Sequence, residues 1–198
     1  MRRKTLHPLP KPNNLSVFDR FEGDFMDNIR VLVNQEQIQK YIEAVASKIS
    51  GKYAGNDNLM MIVLLEGARR FSDDMLKYIA FAPQVEYITA SSYLGGTETT
   101  GKVKIISDID DKIAGRDVLL VDDIYDTGLT LKAVTEYIEK HNPKSLATCV
   151  LMEKAKKHRQ AIPVDFCGFK IEDSFLIGYG LDFDGKYRDL EFIASMQV

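Results

Sequence analysis

The chain has 198 residues, 45% of them hydrophobic and 28% charged, which suits one ordinary domain with a sizeable core and excludes whole-chain disorder, collagen-like repeats and coiled coil. Lys and Arg number 26 against 29 Asp and Glu, a formal net charge of -3, so no global basic surface exists for nucleic acid or an anionic membrane, and any polyanion has to be handled locally. Cys149 and Cys167 sit in apolar stretches and are not closely paired, which argues against a disulfide framework or a zinc site and for a reducing compartment. The start MRRKTLHPLPKPNNL lacks the apolar middle of a secretion signal, and no run approaches the length of a membrane span; the expectation is a cytoplasmic protein with no membrane partner.

In chain order, residues 1–15 carry Pro8, Pro10 and Pro12 followed by Asn13 and Asn14, a composition that blocks helix and predicts an extended arm ahead of a single domain over 16–198. Ile38, Ile42, Val45 and Ile49 recur at helical spacing within 35–50 and predict an amphipathic helix. A polar turn at 51–58 leads to MMIVLL at 60–65, a short apolar run ending at Gly67 that reads as a strand buried on both faces. A helix around 71–80, a strand around 85–91, the loop LGGTETTG at 94–101 and the strand VKIIS at 103–107 continue the alternation. DVLLVDD at 117–123 is a second apolar strand, followed by a turn at 126–128 and a helix with Leu131, Val134 and Ile138 on one face. Asn142 and Pro143 end that helix, and SLATCVLM at 145–152 supplies the next strand. The pattern predicts an α/β architecture, a mostly parallel twisted sheet flanked by helices on both faces, with ligands bound beyond the carboxyl ends of the strands.

VLLVDDIYDTGLTL at 118–131 concentrates the chemistry. An apolar strand runs into two carboxylates and then into a small turn that opens a helix. Exposed amides of Asp126, Thr127, Gly128 and Leu129, with the hydroxyls of Thr127 and Thr130, would cradle a phosphate at the positive end of that helix. Asp122 and Asp123 could accept from the two hydroxyls of a ribose or hold a water of a bound metal ion. The segment lacks the Lys and Ser or Thr of a Walker loop and the three spaced glycines of a dinucleotide fingerprint. Asp-Thr-Gly by itself is also an ordinary way of turning a strand into a capped helix; the preceding carboxylates and the Thr-bearing helix start favour a phosphorylated sugar. His7, His141 and His158 show no ligand spacing and read as surface residues, and the run KAKKHR from Lys154, taken alone, reads as a solvated basic stretch.

DDIYDTGLTL resembles the phosphoribosyl-pyrophosphate signature of type I phosphoribosyltransferases. FCGFKIEDSFLIGYGLDFDGKYRDL at 166–190 is similar to the purine-binding tail of the hypoxanthine-guanine members, and VLLEGARRF and SSYLGGTETTGKVKII resemble their pyrophosphate loop and mobile lid. Four motifs in order cover about residues 30–195 and are far more specific than one. The resemblance implies that fold with a small base-binding hood, a magnesium cofactor, a homodimer or homotetramer, and as substrates phosphoribosyl pyrophosphate with a 6-oxopurine. It places Asp126 as the general base facing N7 of the purine. Asp122 and Asp123 would hold the ribose hydroxyls, and Thr127, Gly128, Leu129 and Thr130 the phosphate. Glu66, Gly67 and Arg188 would meet pyrophosphate, Ser92 and Tyr93 belong to the lid, and Asp182 with Asp123 would bind the metal. At the purine, Lys154 would donate to the 6-oxo group, Phe175 would stack, and Leu176 and Asp182 would lie alongside; a fixed ammonium donor rejects the amine of adenine.

Three positions depart from the family pattern. Glu66 stands where lysine is usual, so pyrophosphate would rely on backbone amides while Glu66 points to Arg69, Arg70 or across a subunit interface. The resemblance also implies a non-proline cis peptide between Leu65 and Glu66. Asp122 replaces a longer glutamate, and Leu129 replaces the basic residue of animal relatives. Two other readings stay open: an RNA-binding regulator on the same fold, for which the KAKKHR run is thin support against the negative net charge, and a transferase preferring xanthine.

Overall fold

The structure, a computed structural model, describes residues 28–95, 98–155, 158 and 160–197; the predicted arm over 1–15 and the side chains of Ser92 and Tyr93 lie outside the described residues. The elements are β1 (Ile29–Val33), α1 (Gln35–Lys52), β2 (Leu59–Leu65), α2 (Ala68–Leu76), β3 (Gln84–Gly95), β4 (Glu98–Ile106), α3 (Asp110–Ile113), β5 (Asp117–Tyr125), α4 (Leu129–Glu139), β6 (Ser145–Lys154), β7 (Phe166–Ile171), β8 (Phe175–Ile177) and β9 (Ile193–Met196). Six strands form one sheet in the order β4-β3-β2-β5-β6-β7. Its strands pair in parallel except at the edge, where β4 runs antiparallel to β3. A second, antiparallel sheet of order β1-β9-β8 forms the hood.

The apolar runs become inner strands because both of their faces are covered. Met61, Val63, Leu119 and Val121 pack with Ile38, Ile42 and Phe71 of α1 and α2, while Met60, Ile62, Val118 and Leu120 pack on the other face with Leu131, Val134 and Ile138 of α4. Alternate residues of one strand thus feed two cores. Helix α1 buries the predicted Ile38, Ile42, Val45 and Ile49 and opens on a capping box, in which Asn34 Oδ1 accepts from the Gln37 amide and Gln37 Oε1 accepts from the Asn34 amide. The hood joins the first core through Leu176, Tyr179 and Ile193.

Three boundaries differ from the sequence reading. The helix expected over 71–80 spans Ala68–Leu76, since it starts as soon as the chain leaves β2 and buries Ala68 with Phe71 and Met75. The loop expected over 94–101 is largely strand: Leu94 pairs with Thr99 and Gly95 with Glu98, because edge pairing is a tertiary choice that local composition does not encode. Strand β5 runs past 123 to Tyr125, where Ile124 and Tyr125 still pair with Met152 and Glu153 of β6. The chain order places β3 on one side of β2 and β5 on the other, so strand order reverses there. Ligand crevices form at such a reversal, outside the carboxyl ends of the strands; Glu66, Gly67 and the 122–128 segment lie at that end.

Candidate active site

Two cavities adjoin at the reversal. One, about 300 Å3, is lined by Asp122, Asp123 and the turn of Asp126, Thr127 and Gly128, with Thr130. The other, about 330 Å3, is lined by Glu66, Lys154, Phe175, Leu176, Asp182 and Arg188. Gly67, Asp123, Ile124 and Asp126 belong to both walls. The first is built around a small turn: Gly128 takes φ 82, a left-handed value that suits glycine, and the turn's amides open directly onto the start of α4, the end of a helix that favours negative charge. A side chain at Gly67 would have to displace the Asp123 carboxylate, since a Cβ there would lie 1.8 Å from Asp123 Oδ2. Leu129 does not line this cavity; its amide donates to Thr127 Oγ1 at 3.4 Å.

Asp122 and Asp123 are each 7% exposed. Asp122 Oδ1 accepts from the Asp123 amide at 2.9 Å, and neither carboxylate makes an ion pair among the described residues. Burial, together with the adjacent Asp123 charge, pushes the Asp122 carboxyl well above the usual carboxylate range, and burial likewise raises Asp123. Such a pair gains from hydroxyl donors or a cation.

Lys154 ends β6, 9% exposed, with its Nζ 3.0 Å from Asp126 Oδ2 and 3.6 Å from Asp173 Oδ1. The start of the KAKKHR run is therefore turned inward and adds nothing to a basic face. Phe175 is 42% exposed and meets Phe183 edge-on at 5.4 Å between centroids, leaving an aromatic surface open to the cavity that it lines. Asp182 Oδ1 pairs with Arg188 Nη2 at 2.6 Å, and Arg188 Nη1 donates to the Gly180 carbonyl.

The Leu65–Glu66 peptide is cis, as the resemblance implied. Glu66 is exposed between the second cavity and a neighbouring one, but Arg69 and Arg70 are committed elsewhere. Arg69 faces Asp73 at 4.0 Å. Arg70 Nη1 donates to the carbonyls of Asp189 and Leu190, and its guanidinium lies 4.7 Å from the centre of the Tyr179 ring. Tyr179 Oη donates to Asp74 Oδ2 at 2.5 Å; burial, then this carboxylate, push the phenol pKa up. These contacts tie α2 to the 178–190 loop that carries Asp182 and Arg188.

Sequence reasoning missed Asp173 and Phe183, neither of which stands in a pattern of its own, and saw Arg70 only as a partner for Glu66. It also misread two histidines. His141 Nδ1 donates to the Tyr137 carbonyl at 2.9 Å, with a quarter of its side chain exposed. His158 is 14% exposed and stacks on Tyr125, 3.7 Å between centroids. The chain folds back over the cradle after β6, which a run of basic residues does not announce. His7 lies outside the described residues.

The phosphoribosyl transferase domain family matches residues 31–184. The chain is 38% identical over 169 residues to the hypoxanthine phosphoribosyltransferase of Escherichia coli (strain K12), covering 85% of this chain and 95% of that one. It is 41% identical over 178 residues to the hypoxanthine-guanine-xanthine phosphoribosyltransferase of Tritrichomonas foetus, covering 89% and 96%. A hypoxanthine phosphoribosyltransferase from Staphylococcus aureus has the same fold, with a TM-score of 0.82 at 34% identity over 94% of this chain and 97% of that chain. The chain belongs to the phosphoribosyltransferase family.

Proposed function

We propose that the protein is a purine-salvage transferase that moves the 5-phosphoribosyl group of phosphoribosyl pyrophosphate to hypoxanthine or guanine, giving IMP or GMP and pyrophosphate. The observation that carries this reading is the Lys154–Asp126 pair, 3.0 Å apart, with Asp126 in the wall shared by the two cavities. An ammonium donor beside a carboxylate acceptor complements the adjacent 6-oxo and N7 positions of a 6-oxopurine. Adenine presents an amine to the same ammonium and leaves both unpaired.

In this reading the 5-phosphate sits on the amides and hydroxyls of Thr127, Gly128 and Thr130, and Asp122 and Asp123 accept from the ribose hydroxyls. N9 of the base attacks C1 of the ribose, the bond from C1 to the pyrophosphate oxygen breaks, and the proton on N7 passes to or is shared with Asp126. Buried carboxylates beneath the ring favour the oxocarbenium character of that transition state. Phe175 covers the base, with Leu176 beside it, while Gly67 and Arg188 receive the departing pyrophosphate; Ser92 and Tyr93 keep their proposed place in a lid that excludes water.

Magnesium is the proposed cofactor. Among the described residues no group of three or more metal-ligand side chains occurs. Mg2+ keeps several waters and takes one or two carboxylates with substrate phosphates, so Asp123 and Asp182, both on the second cavity, fit an ion carried by the diphosphate. Bound there, it would offset charge on the leaving group.

A single transferase domain over 16–198, assembled as a homodimer or homotetramer, completes the proposal, and sedimentation measures the assembly. The deciding assay is incubation with phosphoribosyl pyrophosphate, magnesium and each of hypoxanthine, guanine, xanthine and adenine. Nucleotide from hypoxanthine or guanine supports the reading; none from either overturns it, and product from xanthine extends the substrate range.

A further inference from the structure

We infer that His158 is a positioning residue: held as an imidazolium between the main-chain carbonyl of Asp126 and the carboxylate of Glu153, it fixes the turn whose amides receive the 5-phosphate. The inference rests on the phosphate-binding role proposed above for that turn.

A cradle of amides points at an anion only if the carbonyls of the same peptide units are tied on the far side, since buried carbonyls need donors. Both carbonyls at the apex are tied. His158 Nδ1 lies 2.5 Å from the Asp126 carbonyl oxygen, and the Gln160 amide donates to the Thr127 carbonyl at 3.0 Å. The brace is pinned in turn: Tyr125 Oη donates to the Gln160 carbonyl at 2.7 Å, and Lys132 Nζ donates to Gln160 Oε1 at 3.0 Å. It fits so closely that a Cβ at Gly128 would fall 2.4 Å from that Gln160 carbonyl oxygen. The His158 ring lies nearly flat on Tyr125, with 13° between planes, so its two nitrogens are aimed rather than free to turn.

What those nitrogens face decides the protonation that the site needs. The Nε2 is 3.2 Å from Glu153 Oε1. A carbonyl and a carboxylate only accept, and a neutral imidazole carries one N–H, so either tautomer sets a ring lone pair against an acceptor. The doubly protonated ring satisfies both. The charged groups around it are Glu153, which also faces Lys170 at 3.7 Å, the Asp126 carboxylate with its Lys154 partner, and Lys132 beyond Gln160. The cation adds to the positive end of α4 without touching the ligand.

The test is titration calorimetry of phosphoribosyl pyrophosphate with magnesium into the full chain across a pH series from acid to alkaline of neutrality, alongside steady-state KM and kcat. Wild type should lose affinity as pH rises, more than the ligand's own titration accounts for. His158→Phe keeps the stack and removes both donors; it should weaken the sugar diphosphate about tenfold, the effect of losing one charge-assisted hydrogen bond. Its affinity should no longer carry the extra pH dependence, with kcat and the purine KM changed much less than the affinity for the sugar diphosphate. His158→Gln, with one donor left, should fall between and serves if the Phe variant does not fold. Equal affinity and an equal pH profile in wild type and variant overturn the inference, as does a uniform fall in kcat, both KM values and melting temperature with the pH profile retained. Absence of nucleotide product in wild type speaks against the proposed activity and leaves the binding comparison standing.

Discussion

Strand β5 carries buried carboxylates at both ends, and the two ends behave in opposite ways. Asp117 at its start is 5% exposed and Asp122 near its finish 7%. Asp117 accepts from Asn56 Nδ2 at 3.1 Å, Lys144 Nζ at 2.9 Å and Ser145 Oγ at 2.6 Å. These donors, Ser145 first and then Lys144 and Asn56, hold its pKa down at about 2. Asp122 has one main-chain donor and a second carboxylate beside it, and its pKa is driven up by burial and that neighbour. Burial alone does not mark a site; a shortage of partners does. The satisfied end ties the turn before β2 and the start of β6 to β5, and the unsatisfied end keeps buried carboxylates short of donors at some expense of stability.

The largest effect should come from the unsatisfied end: Asp126→Asn is expected to slow turnover by about 100-fold or more while leaving nucleotide binding measurable, as loss of a general base does. Unchanged turnover would remove Asp126 from that role. Next, Asp117→Ala should lower stability by about 2 kcal/mol with kcat intact, because it strands three donors. Denaturant melts with parallel assays measure both halves, and a loss of activity at full stability would break the contrast between the ends. Asp122→Asn should raise the stability of the ligand-free protein by about 1 kcal/mol while impairing sugar binding.

The two ends should also respond to pH with opposite sign. The folded pKa of Asp117 lies below its unfolded value near 3.8, so its contribution is complete above that value and fades as pH falls toward about 2. The folded pKa of Asp122 lies above 3.8, so wild type loses stability relative to Asp122→Asn as pH rises from there through the raised range, and the two converge in acid. Parallel melts across pH would expose a shared sign and with it the failure of the comparison. The smallest effect expected is a rise of about threefold in the purine KM of Asp173→Asn, which leaves Lys154 with one carboxylate; an unaltered purine KM would reduce Asp173 to a surface charge.

Much of this was legible in sequence wherever cause and consequence lie close together along the chain. The apolar runs of β2 and β5 show their double burial directly, and the turn from Asp122 to Thr130 is a contiguous motif whose residues, Leu129 excepted, reach one cavity. The hood strands β1, β8 and β9 are three to five residues long, too short to display a period. The contacts of Asp173 and Arg70 escape for another reason: their partners lie far along the chain, on β6 and on the loop before β9, so only the folded topology brings them into contact. His158 sat in view within a basic run, but its meaning depends on which way the chain turns after β6.

The hood pairs Ile29 with Met196 and Val33 with Ile193, strands from opposite extremes of the described chain, whereas β2, β3, β5, β6 and β7 join in nearly sequential steps. Pairings of such separation close a large loop and form late. The expected order of assembly is therefore the 126–128 turn first, on a sheet that can build as the chain is made, and the hood last. Phe175, on β8, is held by β9 at Met196, so a nascent chain lacking β9 would already present the 126–128 turn while Phe175, the proposed cover of the base, has no strand to hold it. Pulsed hydrogen exchange during refolding should find the amides of β5 protected before those of β8.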